Sequence, residues 1–186
     1  MQNDLKNTLK ILKNGGIFLY PTDTVWGIGC DATDENAVKK VFELKKRIES
    51  KSLIILVDSW DMLQQYINKI PPKANCILEG TSRPTSVIYE NPKGLAKNVI
   101  ANDHTVAIRI VKDDFCKQLI NKFGKPIVST SANYSGKPTP KNFNEIDKTL
   151  FDKVDYVVNL NREKKFGVSS QIVKIDEKGK IEFLRK

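Results

Sequence analysis

The segment TVAIRIVKDDFCKQLINKFGKPIVS, residues 105–129, carries the signals of a strand, a helix and a second strand in succession. Apolar residues alternate with others over residues 105–110, as on a partly buried strand. Asp113 can then cap a helix whose apolar side chains recur at helical spacing, and Gly124 can end that helix. Residues 126–129 form a short second strand. This order of elements predicts an α/β fold.

The same alternation continues outward in both directions. Further helices are predicted over residues 5–12, 37–44, 59–67 and 143–151, and further strands over residues 17–20, 53–57, 85–89, 155–160, 171–175 and 181–184. Residues 21–33 have no hydrophobic periodicity and are predicted to be a loop in which Gly27 and Gly29 make bends. Because residues 177–180 favour a hairpin turn, the sheet is predicted to be mixed. No repeat or long linker divides the chain, so residues 1–186 are predicted to be one domain.

Composition and charge limit the class of protein. The 186 residues include 31 Lys and Arg against 22 Asp and Glu, a formal net charge of +9. This excess favours nucleic acid or nucleotide phosphates as partners, although a lysine-rich solvated surface would produce the same charge. The longest apolar runs are far below the ~20 residues of a membrane helix, and the N-terminus has no apolar leader. We therefore expect a cytoplasmic protein with no membrane association.

Several familiar kinds of catalytic site are not indicated. His104 is the single histidine and lies in a polar turn, which predicts a surface residue rather than a catalytic base. The chain has no G-x-x-x-x-G-K-[ST] phosphate loop and no G-x-G-x-x-G motif. Cys30, Cys76 and Cys116 lie 40 or more residues apart, which predicts reduced thiols and no zinc site. No pair of Asp or Glu residues is marked out for acid–base work.

Cations and hydroxyl groups are instead concentrated at the ends of predicted elements. Lys45, Arg47 and Lys51 lie where a helix ends, Arg109 interrupts an apolar strand, and residues 21–24 and 129–136 follow strands and carry hydroxyl and amide groups. Loops at strand ends of α/β proteins commonly bind ligands, and guanidinium groups bind carboxylates and phosphates. Structural explanations also fit, since cations stabilise helix C-termini and Ser and Asn satisfy turn backbones. Together the groups favour an anion-binding pocket.

These segments carry a family resemblance. The chain resembles the threonylcarbamoyl-AMP synthases of the YrdC/TsaC family in five motifs that occur in the family's order: residues 21–32, 45–47, 105–109, 129–140, and 169–172 with 184–185. Trp26 stands where the family usually has Tyr, and Ile48 and Ser52 replace common prolines. The proline- and glycine-rich segment of the family is reduced to residues 83–85. The chain is similar to the short, single-domain form.

The resemblance implies a fold and a reaction. The fold would be a single-domain YrdC-like twisted, open mixed sheet with helices and a basic concave face. The reaction would convert L-threonine, bicarbonate and ATP, with Mg²⁺, into threonylcarbamoyl-AMP and pyrophosphate. The product would pass to the threonylcarbamoyl-transferase machinery that forms threonylcarbamoyladenosine (t6A) in tRNA. A carbamate is already anionic at neutral pH, so it could attack the ATP α-phosphorus without a general base, and alignment and charge stabilisation would suffice.

The resemblance also assigns roles to residues. Lys45 and Arg47 would be the catalytic cations at the phosphates, and no residue is assigned as a metal ligand. The ATP-binding residues would be Arg47, Lys51, Thr105, Ser131, Asn133, Thr139 and Arg185. The threonine-binding residues would be Thr24, Arg109, Ser129 and Ser170, with Arg109 forking the carboxylate. Substitution of Lys45 or Arg47 by Ala is expected to remove most adenylate formation and leave the fold intact.

Two other functions fit parts of the pattern. A non-catalytic module could bind tRNA or double-stranded RNA on the basic face, aided by residues such as Arg162, and its affinity would fall steeply with salt. Another carbamoyl transfer is the second alternative, because YrdC-like domains also occur in hydrogenase maturation proteins. Turnover of ATP that requires both threonine and bicarbonate would separate the synthase from both.

Overall fold

The computed structural model describes residues 1–46, 53–72 and 74–186. The helices in these ranges are α1 (Gln2–Lys13), α2 (Glu35–Lys45), α3 (Trp60–Tyr66), α4 (Ala74–Gly80) and α5 (Asp114–Phe123). The strands are β1 (Phe18–Pro21), β2 (Trp26–Gly29), β3 (Ile54–Val57), β4 (Thr85–Glu90), β5 (Thr105–Ile110), β6 (Ile127–Ser131), β7 (Tyr156–Val157), β8 (Gln171–Ile175) and β9 (Ile181–Arg185). Short 3-10 helices span Lys97–Val99, Phe143–Glu145 and Lys148–Lys153.

All of these strands join one open sheet in the order β7-β1-β2-β6-β3-β5-β4-β8-β9. The pairs β1–β7, β3–β5 and β4–β8 are parallel, and the pairs β1–β2, β2–β6, β3–β6, β4–β5 and β8–β9 are antiparallel. The predicted α/β class and mixed, open sheet are therefore confirmed. In the described part of the chain, no helix combines the length and apolar character needed to cross a bilayer.

The helix ends follow local signals that the sequence carries. The side chain of Asp34 accepts from the backbone of Asn36 and Ala37 at the start of α2, and Asp113 accepts from the Cys116 N–H at the start of α5. Gly124 ends α5 in the left-handed conformation, with φ of 75°, which glycine adopts without a Cβ clash. These contacts stabilise the helix termini, and the Asp113 cap and the Gly124 stop are the ones expected from the sequence.

The two faces of the sheet have different surroundings. Ile55 pairs in register with Ile108 and Val128, and all three are buried apolar side chains. Helix α5 packs on β3 and on α1, which accounts for the apolar core. Side chains alternate along a strand, so the neighbouring register row, with Ile54 and Ser129, faces the other side. That second face carries the polar groups described below.

Three local predictions are wrong. Residues 26–29 form strand β2 instead of a loop, so Gly27 and Gly29 lie within a ladder and are not bends. Residues 143–151 form two 3-10 helices separated by the buried Ile146, and not one α-helix. The strand predicted over residues 155–160 is limited to Tyr156–Val157. Helix α4 was not predicted, because its residues show no helical apolar period. In each case tertiary packing overrides a weak local pattern.

Gly29 is required by close packing of two aromatic rings. A Cβ at Gly29 would lie 2.8 Å from Phe18 Cζ, 2.8 Å from Tyr20 Cε1 and 3.1 Å from the Val128 carbonyl oxygen. We expect Gly29→Ala to lower the free energy of unfolding by about 1–3 kcal/mol through overpacking. Urea denaturation measures this, and Gly80→Ala is the control, because a Cβ there meets no atom within 4 Å. Equal stability of the two variants would show that the rings yield without cost.

Candidate active site

A cavity of about 170 Å³ opens on the polar face of the sheet. Residues from six strands (β2, β3, β5, β6, β8 and β9) and from the loops after β1, after β6 and before β8 line it. Seven described residues that the family resemblance assigned to substrates share this cavity: Thr24, Arg109, Ser129, Ser131, Thr139, Ser170 and Arg185. They come from segments spread over most of the chain, so the fold gathers groups that are distant in sequence. Two guanidinium groups among neutral hydroxyls make the cavity suited to an anion.

The turn after β1 presents Thr24 to the cavity. The Thr22 hydroxyl accepts hydrogen bonds from the backbone N–H groups of Thr24 (3.1 Å) and Val25 (3.2 Å) and donates to the Val25 carbonyl oxygen (2.8 Å). This side-chain-to-backbone network is the turn chemistry that Thr provides. Thr22 is buried and Thr24 lines the cavity. Thr22 therefore stabilises the turn, and Thr24, whose Oγ1 lies 3.0 Å from Thr22 Oγ1, is held at the cavity.

Arg109 lines the cavity and is only 3% exposed. Its Nη2 donates to Oδ1 of Asp23 at 2.8 Å. The second oxygen of that carboxylate, Oδ2, accepts from the backbone N–H of Lys112 at 3.3 Å. Within the described residues, Arg109 Nε is buried without a hydrogen-bond partner. An unpartnered guanidinium N–H beside a cavity can bind an anionic ligand.

Strand β9 brings a second guanidinium to the cavity. A register irregularity next to Ile172 sets Arg185 opposite that residue. Arg185 Nε donates to the Ser170 carbonyl oxygen at 2.9 Å, and its Nη2 donates to Ser170 Oγ at 3.1 Å. Partial burial and the nearby charges of Arg109 and Arg83 lower the pKa of Arg185. The crowding of like charges means that a bound anion would be stabilised here.

Lys45 and Asn133 organise the loop after β6, and neither lines the cavity. Lys45 is 1% exposed, and its Nζ donates to the carbonyl oxygens of Ser131 and, at 2.7 Å, Asn133. Asn133 Oδ1 accepts from the Ser131 hydroxyl, and Asn133 Nδ2 donates to the Lys137 carbonyl oxygen. The predicted phosphate role of Lys45 stays a prediction, and its observed contacts attach the end of α2 to this loop.

Thr105, another assigned residue, does not line the cavity. Thr105 lies four residues before Arg109 on β5, on the same face but about 13 Å away at the usual rise of a strand. Its hydroxyl donates to Asp103 at 2.7 Å. Arg47 and Lys51, like the departures at Ile48 and Ser52, lie outside the described residues. The role of each stays a prediction.

Sequence reasoning missed Asp23 and misread Gly27. Asp23 is a buried carboxylate whose partner lies 86 residues further along the chain, so no spacing in the sequence connects the two. The one signal was its place between two threonines directly after a strand. Gly27 lines the cavity, and a Cβ there would lie 3.4 Å from Ser129 Oγ, so its lack of a side chain keeps space open.

The cysteines and the acidic side chains of the described residues do not line the cavity. Cys30, Cys76 and Cys116 are free, as expected, and burial raises the pKa of the Cys30 and Cys116 thiols well above its ordinary value. Buried thiols with raised pKa are poor nucleophiles. Over the described ranges, no group of three or more His, Cys, Asp or Glu side chains could hold a metal ion.

Comparison with known proteins identifies relatives over most of the chain. Threonylcarbamoyl-AMP synthase of Pyrococcus abyssi is 29% identical over 167 residues, which cover 89% of this chain and 49% of that protein. The protein of the same name from Pseudoalteromonas translucida is 32% identical over 162 residues, covering 85% of this chain and 86% of that protein. This chain therefore spans about half the length of the archaeal relative and most of the bacterial one.

A solved structure has the same fold. The crystal structure of P. abyssi Sua5 complexed with L-threonine is similar with a TM-score of 0.84 and 27% identity, over 91% of this chain and 50% of that one. The Sua5/YciO/YrdC family model, described as "Telomere recombination", matches residues 10–186. That match includes every strand of the sheet and every residue of the cavity, and the chain belongs to the Sua5/YciO/YrdC family.

Proposed function

We propose that this protein is a threonylcarbamoyl-AMP synthase, a nucleotidyltransferase that uses L-threonine, bicarbonate and ATP. The observation that carries the proposal is the convergence of Arg109, Arg185 and seven hydroxyl side chains on one cavity. Two relatives carry this enzyme's name, and a similar structure was solved with L-threonine. The fold and the chemistry of the cavity thus support the same conclusion.

Arg109 would bind the threonine carboxylate. Its unpartnered Nε and its place at the cavity support this role. The hydroxyls of Thr24, Ser129 and Ser170 would hydrogen-bond the amino acid. The cavity is about 170 Å³, below the ~300–1,000 Å³ of pockets for drug-sized ligands. This size suits an amino acid, and ATP would extend outward past Ser131, Thr139 and Arg185.

The reaction needs no protein nucleophile. The threonine amine and bicarbonate would form a carbamate with loss of water. A carbamate oxygen would then attack the α-phosphorus of ATP, and the bond to pyrophosphate would break. Arg185 and the predicted cations Lys45, Arg47 and Lys51 would offset the negative charge that builds up. Among the described residues that line the cavity there is no His, Asp or Glu, which is consistent with this route because the attacking group is already an anion.

Mg²⁺ would enter with ATP. We propose that phosphate oxygens and water supply its ligands, as is common for this cation. Hydroxyl oxygens at the ATP side of the cavity, such as Ser131 and Thr139, fit hydrogen bonds to those waters. The bound ion would neutralise part of the phosphate charge. Asn133 would contribute by fixing the backbone of the loop that carries Ser131.

The product would be used in tRNA modification. Threonylcarbamoyl-AMP is an activated acyl adenylate, and a threonylcarbamoyl transferase would move its acyl group to adenosine in tRNA to give t6A. Direct binding of tRNA or double-stranded RNA is a separate property, and the net charge of +9 is compatible with it.

Pyrophosphate release tests the proposal. The purified protein is incubated with ATP and Mg²⁺, and threonine and bicarbonate are added singly and together. We expect release only when both are present. Release without threonine would indicate another nucleotide activity. No release together with salt-sensitive binding of duplex RNA would favour the non-catalytic RNA-binding module.

A further inference from the structure

The Asp23–Arg109 pair is an unusual element of the cavity. Both side chains are nearly inaccessible, at 8% and 3% exposure, and their charged atoms are 2.8 Å apart. Taking two charges out of water costs free energy, and the ion pair repays that cost only in good geometry. Two apolar side chains of similar volume would fill the same space with a smaller desolvation cost. The pair is therefore better explained by what it does to Arg109 than by stability.

Asp23 fixes the orientation of the guanidinium. One carboxylate oxygen accepts from Arg109 Nη2, and the other accepts from the backbone N–H of Lys112, two residues after β5 ends. The carboxylate is thus held between the turn after β1 and the end of β5. Nη2 is thus directed to Asp23, and the buried Nε has no hydrogen-bond partner among the described residues.

Asp23 also offsets the crowding of positive charge. Arg109 and Arg185 line the same cavity. Two guanidinium groups in one cavity repel each other until an anion binds between them. The Asp23 carboxylate lies 2.8 Å from Arg109 Nη2 and does not itself line the cavity, so it offsets this charge without occupying the ligand's space. Arg109 can therefore stay in its binding position before the substrate arrives.

We infer that Asp23 is a positioning residue that sets the orientation of Arg109 for the carboxylate of the amino-acid substrate. The inference rests on the proposed function, because it assumes that Arg109 binds that carboxylate. It goes further in assigning to the middle residue of the Thr22–Thr24 turn a role in amino-acid affinity. Because Arg109 is already oriented, less conformational entropy of its side chain is lost when the substrate binds.

The Asp23→Asn variant separates the charge from the shape. Asn has one acceptor oxygen, so it can accept a hydrogen bond from Arg109 Nη2 or from the Lys112 N–H but not replace both carboxylate oxygens. We expect the KM for threonine to rise about tenfold, the effect of losing one hydrogen bond to a charged group. The kcat at saturating threonine and the KM for ATP should change less than about threefold, since Asp23 does not contact either reacting centre.

Asp31→Asn is the matched control. Asp31 is also a buried carboxylate paired with a cation, with Oδ2 3.0 Å from Lys125 Nζ, and its Oδ1 accepts from the backbone N–H of Thr33 at 2.7 Å. It does not line the cavity. A general loss of stability would appear in both variants, whereas a rise in the KM for threonine is expected only for Asp23→Asn.

Calorimetric titration with L-threonine and steady-state pyrophosphate release are measured on both variants and the wild type. If Asp23→Asn does not fold, Asp23→Glu replaces it, because the longer side chain keeps the charge but displaces the carboxylate. In Asp23→Asn, equal changes in the KM for threonine and for ATP, or an unchanged KM for threonine, would overturn the inference. The proposed function would still stand in either case, provided that the wild type turns over. If the wild type binds threonine without turnover, the dissociation constants decide instead. No binding by the wild type overturns both.

Discussion

Arg109→Ala is expected to reduce kcat/KM for threonine by about 100-fold, because two hydrogen bonds from a charged donor to the carboxylate are lost. The guanidinium lines the cavity, and the second guanidinium there, that of Arg185, is already bonded to Ser170. Arg109→Lys should fall between wild type and Ala, since Lys keeps the charge but not the planar fork. Pyrophosphate release at varied threonine concentration measures the loss.

Stability should fall in the same variant. Removal of Arg109 leaves Asp23 buried without its counter-ion, and such a loss typically costs about 3–5 kcal/mol. Urea denaturation measures this difference. Arg162→Ala is the control, because its guanidinium lies 4.4 Å from the centre of the Phe143 ring and does not line the cavity. Near-normal threonine dependence in a folded Arg109→Ala protein would rule out Arg109 as the carboxylate ligand.

Lys45→Ala is expected to weaken both the fold and the activity. The structure revises the expectation of an intact fold, because Lys45 is 1% exposed and its Nζ donates to the carbonyl oxygens of Ser131 and Asn133. Two hydrogen bonds from a charged donor are lost, so we expect the free energy of unfolding to drop by about 3 kcal/mol. Adenylate formation should fall because Ser131, on the ATP side, loses its anchor. For Arg47→Ala, the expectation of an intact fold stays a prediction.

Hydrogen exchange of residues 131–137 gives the most direct measurement of this anchoring, since loosened loops exchange faster. Lys39→Ala on the same helix is the control. Its Nζ lies 3.9 Å from Glu43 Oε1 on an exposed surface, and such pairs contribute only about 0.2–0.5 kcal/mol. Lost activity with unchanged exchange and unchanged stability would mean that Lys45 acts on the phosphates and not on the loop.

Local signals in the sequence were reliable where the structure depends on local contacts. The caps at Asp34 and Asp113 act within three residues of chain, and the stop at Gly124 needs only its own backbone freedom. Helical and strand periods likewise record which face of an element is buried. The motif positions also selected most of the cavity residues, because the family resemblance fixes residue types at positions along the chain.

Predictions from the sequence were wrong where the conformation depends on segments that are distant in the chain. Residues 26–29 lack a strand pattern, yet β1 and β6 on either side supply hydrogen bonds that hold them in the sheet. Glycine disfavours a strand in isolation, but the rings of Phe18 and Tyr20 occupy the space that a side chain at Gly29 would need. Packing between strands therefore decided a conformation that local propensity opposed.

The sequence by itself determined the α/β class, both ends of α5 and a set of cations and hydroxyls for an anion site. Only the tertiary structure decided how these groups are used. It joined Asp23 to Arg109 across 86 residues of chain and buried Lys45 beneath the loop after β6. The physical reason is that composition and periodicity record local burial, whereas the partner of a buried charge depends on which segments pack together.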